Sequence, residues 1–198
     1  MKIIITGSTG MVGEGVLLAC LQDDKISEIL SISRKSCGIE NPKLKEQLLP
    51  DFTKIEEYAK DIKGYDACFF CAGISSVGMS EERYKQVTYD TTMAVAEVLS
   101  KENTEMTFIY VSGASTDSTG QGNIMWARIK GKTENDLMKL PFKNVLNFRP
   151  GAMLPISGQK YAKKLYNFIA KVLYFFMPAY VIPLGDLARA MINGVALN

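Results

Sequence analysis

Three glycines at three-residue intervals, Gly7, Gly10 and Gly13, follow directly on the β-branched run Lys2 to Thr6. A short apolar strand that ends in such a loop and opens at once into an amphipathic helix is the start of a βαβ unit. Gly7 can make the tight turn out of the strand. Gly10 lets backbone approach a diphosphate closely, and Gly13 lets the helix pack on the sheet. The helix is expected over Met11 to Gln22, with Val12, Val16, Leu17, Cys20 and Leu21 on one face. Its first-turn N–H groups have no intrahelical acceptor, and its dipole favours an anion. Gly7, Thr9, Gly10, Met11, Val12 and Gly13 are therefore expected to cradle a dinucleotide's diphosphate.

The rest of the chain repeats the alternation. Strands are expected at Ile29 to Ser33, Leu44 to Leu49, Ala67 to Cys71, Met106 to Val111 and Val145 to Phe148. Helices are expected at Thr53 to Ile62 (Thr53 capping), Ser80 to Ser100, Ile124 to Leu140, Tyr161 to Met177 and Asp186 to Ala196. Such an alternation predicts an α/β fold: a doubly wound parallel sheet, α/β/α in three layers, with strand order 3-2-1-4-5-6. Residues 1–198 are expected to form one dinucleotide-binding Rossmann domain, with 151–198 as a short helical cap on the substrate side.

The end of the second strand decides between cofactors. An NAD site expects an acid there to accept from the ribose 2′-hydroxyl. The chain has Ser33, Arg34 and Lys35 instead. Two cations suit a 2′-phosphate, so NADP is expected in preference to NAD.

Composition removes several chemistries. There is no histidine, which excludes Ser-His-Asp and Cys-His nucleophiles, HExxH zinc sites and His-ligated haem. With 23 Lys and Arg against 21 Asp and Glu, nothing points to nucleic acid as a partner. Cys68 and Cys71 match C-x-x-C, but they lie in the apolar run 67–72. They read as core residues, with no metal and no redox pair, of a reduced cytoplasmic protein. The apolar stretch Leu165 to Ile182 is interrupted by Asn167, Lys171 and Pro178. It reads as an amphipathic helix covering a pocket, with peripheral membrane contact as the lesser alternative, and not as an integral membrane segment.

With these residues in view, the sequence resembles the short-chain dehydrogenase/reductase superfamily. It is most similar to atypical members with G-x-x-G-x-x-G loops, of the Tat-interacting-protein oxidoreductase and nucleoside-diphosphate-sugar epimerase types. The resemblance implies that Asp51 and Phe52 contact adenine and that Cys71, Ala72 and Gly73 lie beside a ribose. It also implies that Val111 and the turn Pro150, Gly151, Ala152 and Met153 approach the nicotinamide. Homodimers through the helices after the fourth and fifth strands are common in such proteins.

Reductases of this type use Ser, Tyr and Lys, the last two as Y-x-x-x-K on one helical face, where the lysine lowers the tyrosine pKa. Here the helix reads Trp126-Ala127-Arg128-Ile129-Lys130. Lys130 is kept and the tyrosine is not. The serine position falls on Gly113, with Ser112 and Ser115 as the neighbouring hydroxyls. An indole N–H donates a hydrogen bond but supplies no proton. Two readings follow: an NADPH-dependent reductase of a small or flat acceptor, or a non-catalytic NADP-binding redox sensor. In the first, Trp126, Met125, Met153, Tyr161 and Phe168 wall a flat slot, and Tyr161, Tyr110 or Ser115 is a replacement donor for a carbonyl. Sugar-nucleotide epimerisation is a third reading.

Overall fold

The structure is a computed structural model and describes residues 1–197. Six parallel strands form the central sheet: β1 (Lys2–Thr6), β2 (Glu28–Ser33), β3 (Leu44–Leu48), β4 (Ala67–Phe70), β5 (Thr107–Val111) and β6 (Asn144–Phe148). Their order is β3-β2-β1-β4-β5-β6, the predicted doubly wound arrangement. Alternation along each strand feeds two cores. Ile4, Cys68, Phe70, Phe108 and Tyr110 face one side, and Ile3, Ile5, Ala67, Phe69 and Ile109 face the other. The inner strands β1, β2, β4 and β5 are buried over almost their whole length, Ser31 and Ser33 of β2 included, because both sheet faces are covered. The edge strand β3 instead carries exposed Lys45 and Glu46, which discourage pairing with another chain.

Helices α1 (Met11–Gln22) and α6 (Leu184–Ala196) cover one face. The other is covered by α2 (Glu81–Lys85), α3 (Thr91–Glu102) and α4 (Met125–Leu137). One wide π-turn, Gln86–Asp90, joins α2 to α3. The stretch predicted as one helix from Ser80 is thus interrupted, and Ser80 is its cap, accepting from the Arg83 N–H at 3.3 Å. Within the π-turn the Thr91 hydroxyl donates to the Gln86 carbonyl, five residues back, at 3.1 Å.

The helix predicted over Thr53 to Ile62 is a 3-10 segment, Phe52–Tyr58. Its two buried side chains, Phe52 and Ile55, are three apart, which matches three residues per turn better than 3.6. Its cap is Asp51 rather than Thr53: the carboxylate accepts from the Thr53 amide at 3.0 Å and the Thr53 hydroxyl at 2.7 Å.

Residues 151–198 contain a small parallel pair, β7 (Ala152–Leu154) and β8 (Val181–Pro183), joined through α5 (Lys164–Phe176). Three-residue strands give no readable alternation, and none was predicted there. Helix α6 packs into the α1 layer, while α5 buries only Ala170.

Candidate dinucleotide site at the carboxyl edge of the sheet

The strand register sets the site. Thr6 pairs with Phe70, Phe70 with Tyr110, and Val111 with Phe148. Gly7, Cys71, Ser112 and Arg149 therefore leave the sheet along one edge, with neighbouring strands about 4.8 Å apart. In an open α/β sheet this carboxyl edge is where ligands bind.

Gly7 has φ +75°, and a Cβ there would stand 2.7 Å from the backbone of Cys71 and Ala72. Only glycine lets the loop lie on the end of β4. The Ala72 amide then donates to the Thr6 hydroxyl at 3.1 Å. A Cβ on Gly13 would stand 2.1 Å from the Gly7 carbonyl oxygen, so α1 docks directly on the loop. Ser8 ties the loop to β2 through a buried 2.7 Å hydrogen bond with Ser31. No side chain caps α1 at Gly10, which leaves its first-turn amides available to an anion.

Gly7, Thr9, Gly10, Ser33, Arg34, Phe52, Cys71, Ala72 and Gly73 line one cleft. Arg34, Asp51, Phe52, Ala72 and Gly73 continue into a second, walled by Pro50, Ile74, Val87 and Thr91. The last two lie in and just after the π-turn, so the widened turn forms a wall of this cleft. Met11, Val12 and Gly13 form the first turn of α1 behind the loop. The Ser33 hydroxyl donates to the Lys35 carbonyl at 2.6 Å, and the Lys35 side chain is outside the cleft walls. Burial pushes the Cys71 thiol up to about 12 and the Cys68 thiol well above its usual range. Neither is poised as a thiolate.

At the end of β5, Lys130 donates to the Val111 carbonyl at 3.1 Å. Its ammonium also stands 5.2 Å over the Tyr110 ring. Burial lowers its pKa to about 8, against the opposing pull of the Glu134 carboxylate. One turn earlier Trp126 lies over Gly113, its Cζ3 3.4 Å from where a Cβ would stand. Ser112 is buried and shares a 2.8 Å hydrogen bond with Thr116, while Ser115 is exposed. Thr116 was not foreseen; its hydroxyl lies 4.0 Å from the same Gly113 position. Its only signal in the sequence is its place four residues after Ser112.

Tyr110 is 1% exposed and sits inside the core, so it cannot reach a substrate. The predicted slot does not assemble either. Phe168 is 66% exposed on α5, and Met153 packs toward α1 and α6.

The Arg149–Gly151 turn is strapped to the end of β5: Ser112 N donates to Phe148 O at 2.7 Å and Ala114 N to Pro150 O at 3.0 Å. Pro150 and Gly151 line a separate depression with Tyr174 and Tyr180, not the glycine-loop cleft. Ala152 and Met153 lie in β7. Arg149 pairs with buried Glu134, its Nε 3.0 Å from Oε1.

A second buried carboxylate, Glu14, lies one residue past the last loop glycine. It accepts from the Lys160 amide at 2.6 Å and the Tyr161 amide at 2.8 Å. Gln159 adds a bond to the Met11 carbonyl at 2.6 Å. The phosphate-loop helix thus holds the segment that leads into α5. No sequence pattern announces a link across such a separation.

This glycine-loop Rossmann fold agrees with its sequence relatives. The chain belongs to the NAD dependent epimerase/dehydratase family, whose profile matches residues 3–130. It is an atypical, oxidoreductase-like NAD(P)-binding member. Rat protein HTATIP2 is 25% identical over 201 residues, covering 98% of this chain and 81% of that one. The mitochondrial protein FMP52 of Debaryomyces hansenii is 27% identical over 158 residues, covering 78% and 67%. Among solved structures, the ADP-L-glycero-D-manno-heptose-6-epimerase of Helicobacter pylori superimposes with a TM-score of 0.74 at 14% identity, covering 98% of this chain and 73% of that one. The GalE-like L-threonine dehydrogenase of Cupriavidus necator gives 0.73 at 13%, covering 97% and 71%. At these identities the structural likeness is one of fold.

Proposed function

We propose that this chain binds NADPH and reduces a small or flat acceptor, such as a flavin or quinone, without a tyrosine acid. The observation that carries the reading is Trp126 seated on Gly113 one turn before Lys130. The cation of the reductase centre is kept, and the proton donor is not. When bound, the reduced nicotinamide supplies a hydride. The uncapped amides of α1 hold the diphosphate. Arg34, exposed and without an ion-pair partner among the described residues, favours a 2′-phosphate and hence NADP over NAD. Lys130 holds the ribose hydroxyls. Acceptors reduced to stabilised anions take their proton from water, so no side-chain acid is required.

A non-catalytic NADP-binding redox sensor is the second reading. It is favoured by the same missing acid and by a Ser112 hydroxyl already engaged with Thr116. Sugar-nucleotide epimerisation ranks third, on the strength of the family name. Residues 151–198 as a substrate-side cap, a homodimer through α2 to α4, and a cytoplasmic location complete the proposal.

Trp126 is the single tryptophan, so its emission reports cofactor binding. Quenching on NADPH titration, followed by NADPH oxidation with a flavin or quinone, is the expected result. Binding without oxidation of any flavin, quinone or aldehyde favours the sensor. No binding of NADPH or NADH sinks both.

A further inference from the structure

Helix α5 faces the wrong way for a helix of a water-soluble core. Leu165, Phe168, Ile169, Val172, Phe175 and Phe176 follow the spacing that gathers apolar side chains on one stripe. Such a stripe ordinarily packs inward. Here Leu165 is 72% exposed, Phe168 66%, Phe175 80% and Phe176 73%. The face turned to the protein is the other one, with buried Ala170 and with Tyr166 hydrogen-bonded to Met153. Exposed Met177 and Tyr180 prolong the apolar surface beyond the helix. An apolar surface this continuous marks an interaction site.

The charges around it select the partner. Lys163, Lys164 and Lys171 are exposed on or beside α5, and no ion pair engages them among the described residues. No Asp or Glu occurs in the sequence between Asp136 and Asp186. A second copy docking stripe to stripe would bring these lysines against each other with no carboxylate on the segment to answer them. An anionic lipid surface answers both features at once, taking up the apolar stripe and neutralising the ammonium groups. No described helix is long and apolar enough to cross a membrane, so α5 would lie in the plane of the interface.

We propose that α5 is a membrane-surface helix whose phenylalanine-rich stripe enters the headgroup–acyl boundary of an anionic bilayer, with its lysines at the level of the phosphates. This docking is independent of the cofactor reading, because neither the stripe nor these lysines belong to the dinucleotide clefts.

The test is vesicle flotation of the full chain, without nucleotide, using phosphatidylcholine vesicles with and without about 30 mol% phosphatidylglycerol. The protein should float with the anionic vesicles and far less with the neutral ones. Lys163→Gln/Lys164→Gln/Lys171→Gln should weaken partitioning by on the order of a hundredfold. Phe168→Ser/Phe175→Ser/Phe176→Ser should abolish flotation while leaving the melting temperature near that of the parent, since these side chains are exposed. Failure to float with either vesicle overturns the proposal. So does a dimer, measured by light scattering, that the Phe168→Ser/Phe175→Ser/Phe176→Ser variant dissociates while the parent ignores vesicles. In that case a second copy covers the stripe.

Discussion

The indole of Trp126 rests on Gly113, with Cζ3 3.4 Å from the point a Cβ would occupy. By the resemblance to the reductases these two positions answer to tyrosine and serine, and the ring already stands at van der Waals distance from where a side chain at Gly113 would begin. Gly113→Ser alone should therefore crowd the indole and cost about 1 kcal/mol. Trp126→Tyr alone leaves the new phenol without its serine. The double variant should reduce a simple aldehyde with NADPH faster than either single variant, by on the order of tenfold. Additive or absent gains would show that the carbonyl chemistry needs more than these two positions.

Gly131 tests the packing of α4. Replacing a glycine inside a helix with alanine ordinarily stabilises by about 1 kcal/mol. At Gly131 the added Cβ would stand 1.8 Å from the Asp117 carbonyl oxygen. Gly131→Ala should instead destabilise by about 3 kcal/mol, read from the urea midpoint. A stabilised variant would show that the 117–122 loop does not lie on this helix.

Arg34 lines both clefts. Arg34→Asp should lower NADPH affinity by on the order of a hundredfold and improve NADH binding, measured by calorimetry. Equal loss of both cofactors would place its contact on the shared part of the dinucleotide.

Burial holds Lys130 at about 8, below the ordinary 10.5. Between those values the unfolded chain binds a proton that the folded one has released, so stability should rise with pH across that window. Lys130→Met should remove this rise and raise the melting temperature of the nucleotide-free protein by about 2–4 °C at pH 7. NADPH affinity should fall by on the order of tenfold, because the ribose loses its cation. A stabilised variant with unchanged affinity would make Lys130 a structural cation only.

Glu14 should prove a latch. Glu14→Ala removes the acceptor for the Lys160 and Tyr161 amides and should cost about 2–3 kcal/mol. Limited proteolysis should then cut first near Lys160 and Lys163. An unchanged cleavage pattern would count against the latch.

The sheet and its order were legible because β1, β4 and β5 are short apolar runs with a glycine within three residues of their ends, and because strands alternate with helical stretches along the chain. The glycine loop was legible because its constraints are local: a tight turn, a close approach and a helix seated on a carbonyl. The Glu14 link was not, since its partners lie 146 and 147 residues away. Nor was the interruption at Gln86–Asp90, where one extra residue per turn leaves the helical composition unchanged. Helix α5 marks a different limit. Its period was readable, but periodicity gives a stripe without saying which way the stripe looks.

The Tyr166 hydroxyl accepts from the Met153 amide at 3.1 Å and donates to the Met153 carbonyl at 3.0 Å. One phenol thus occupies both polar groups at the middle of β7, doing there what an additional strand would do. An incoming chain finds no free donor and acceptor at that residue, so the β7 edge of the two-stranded sheet is blocked at its midpoint by a side chain from the helix packed on it.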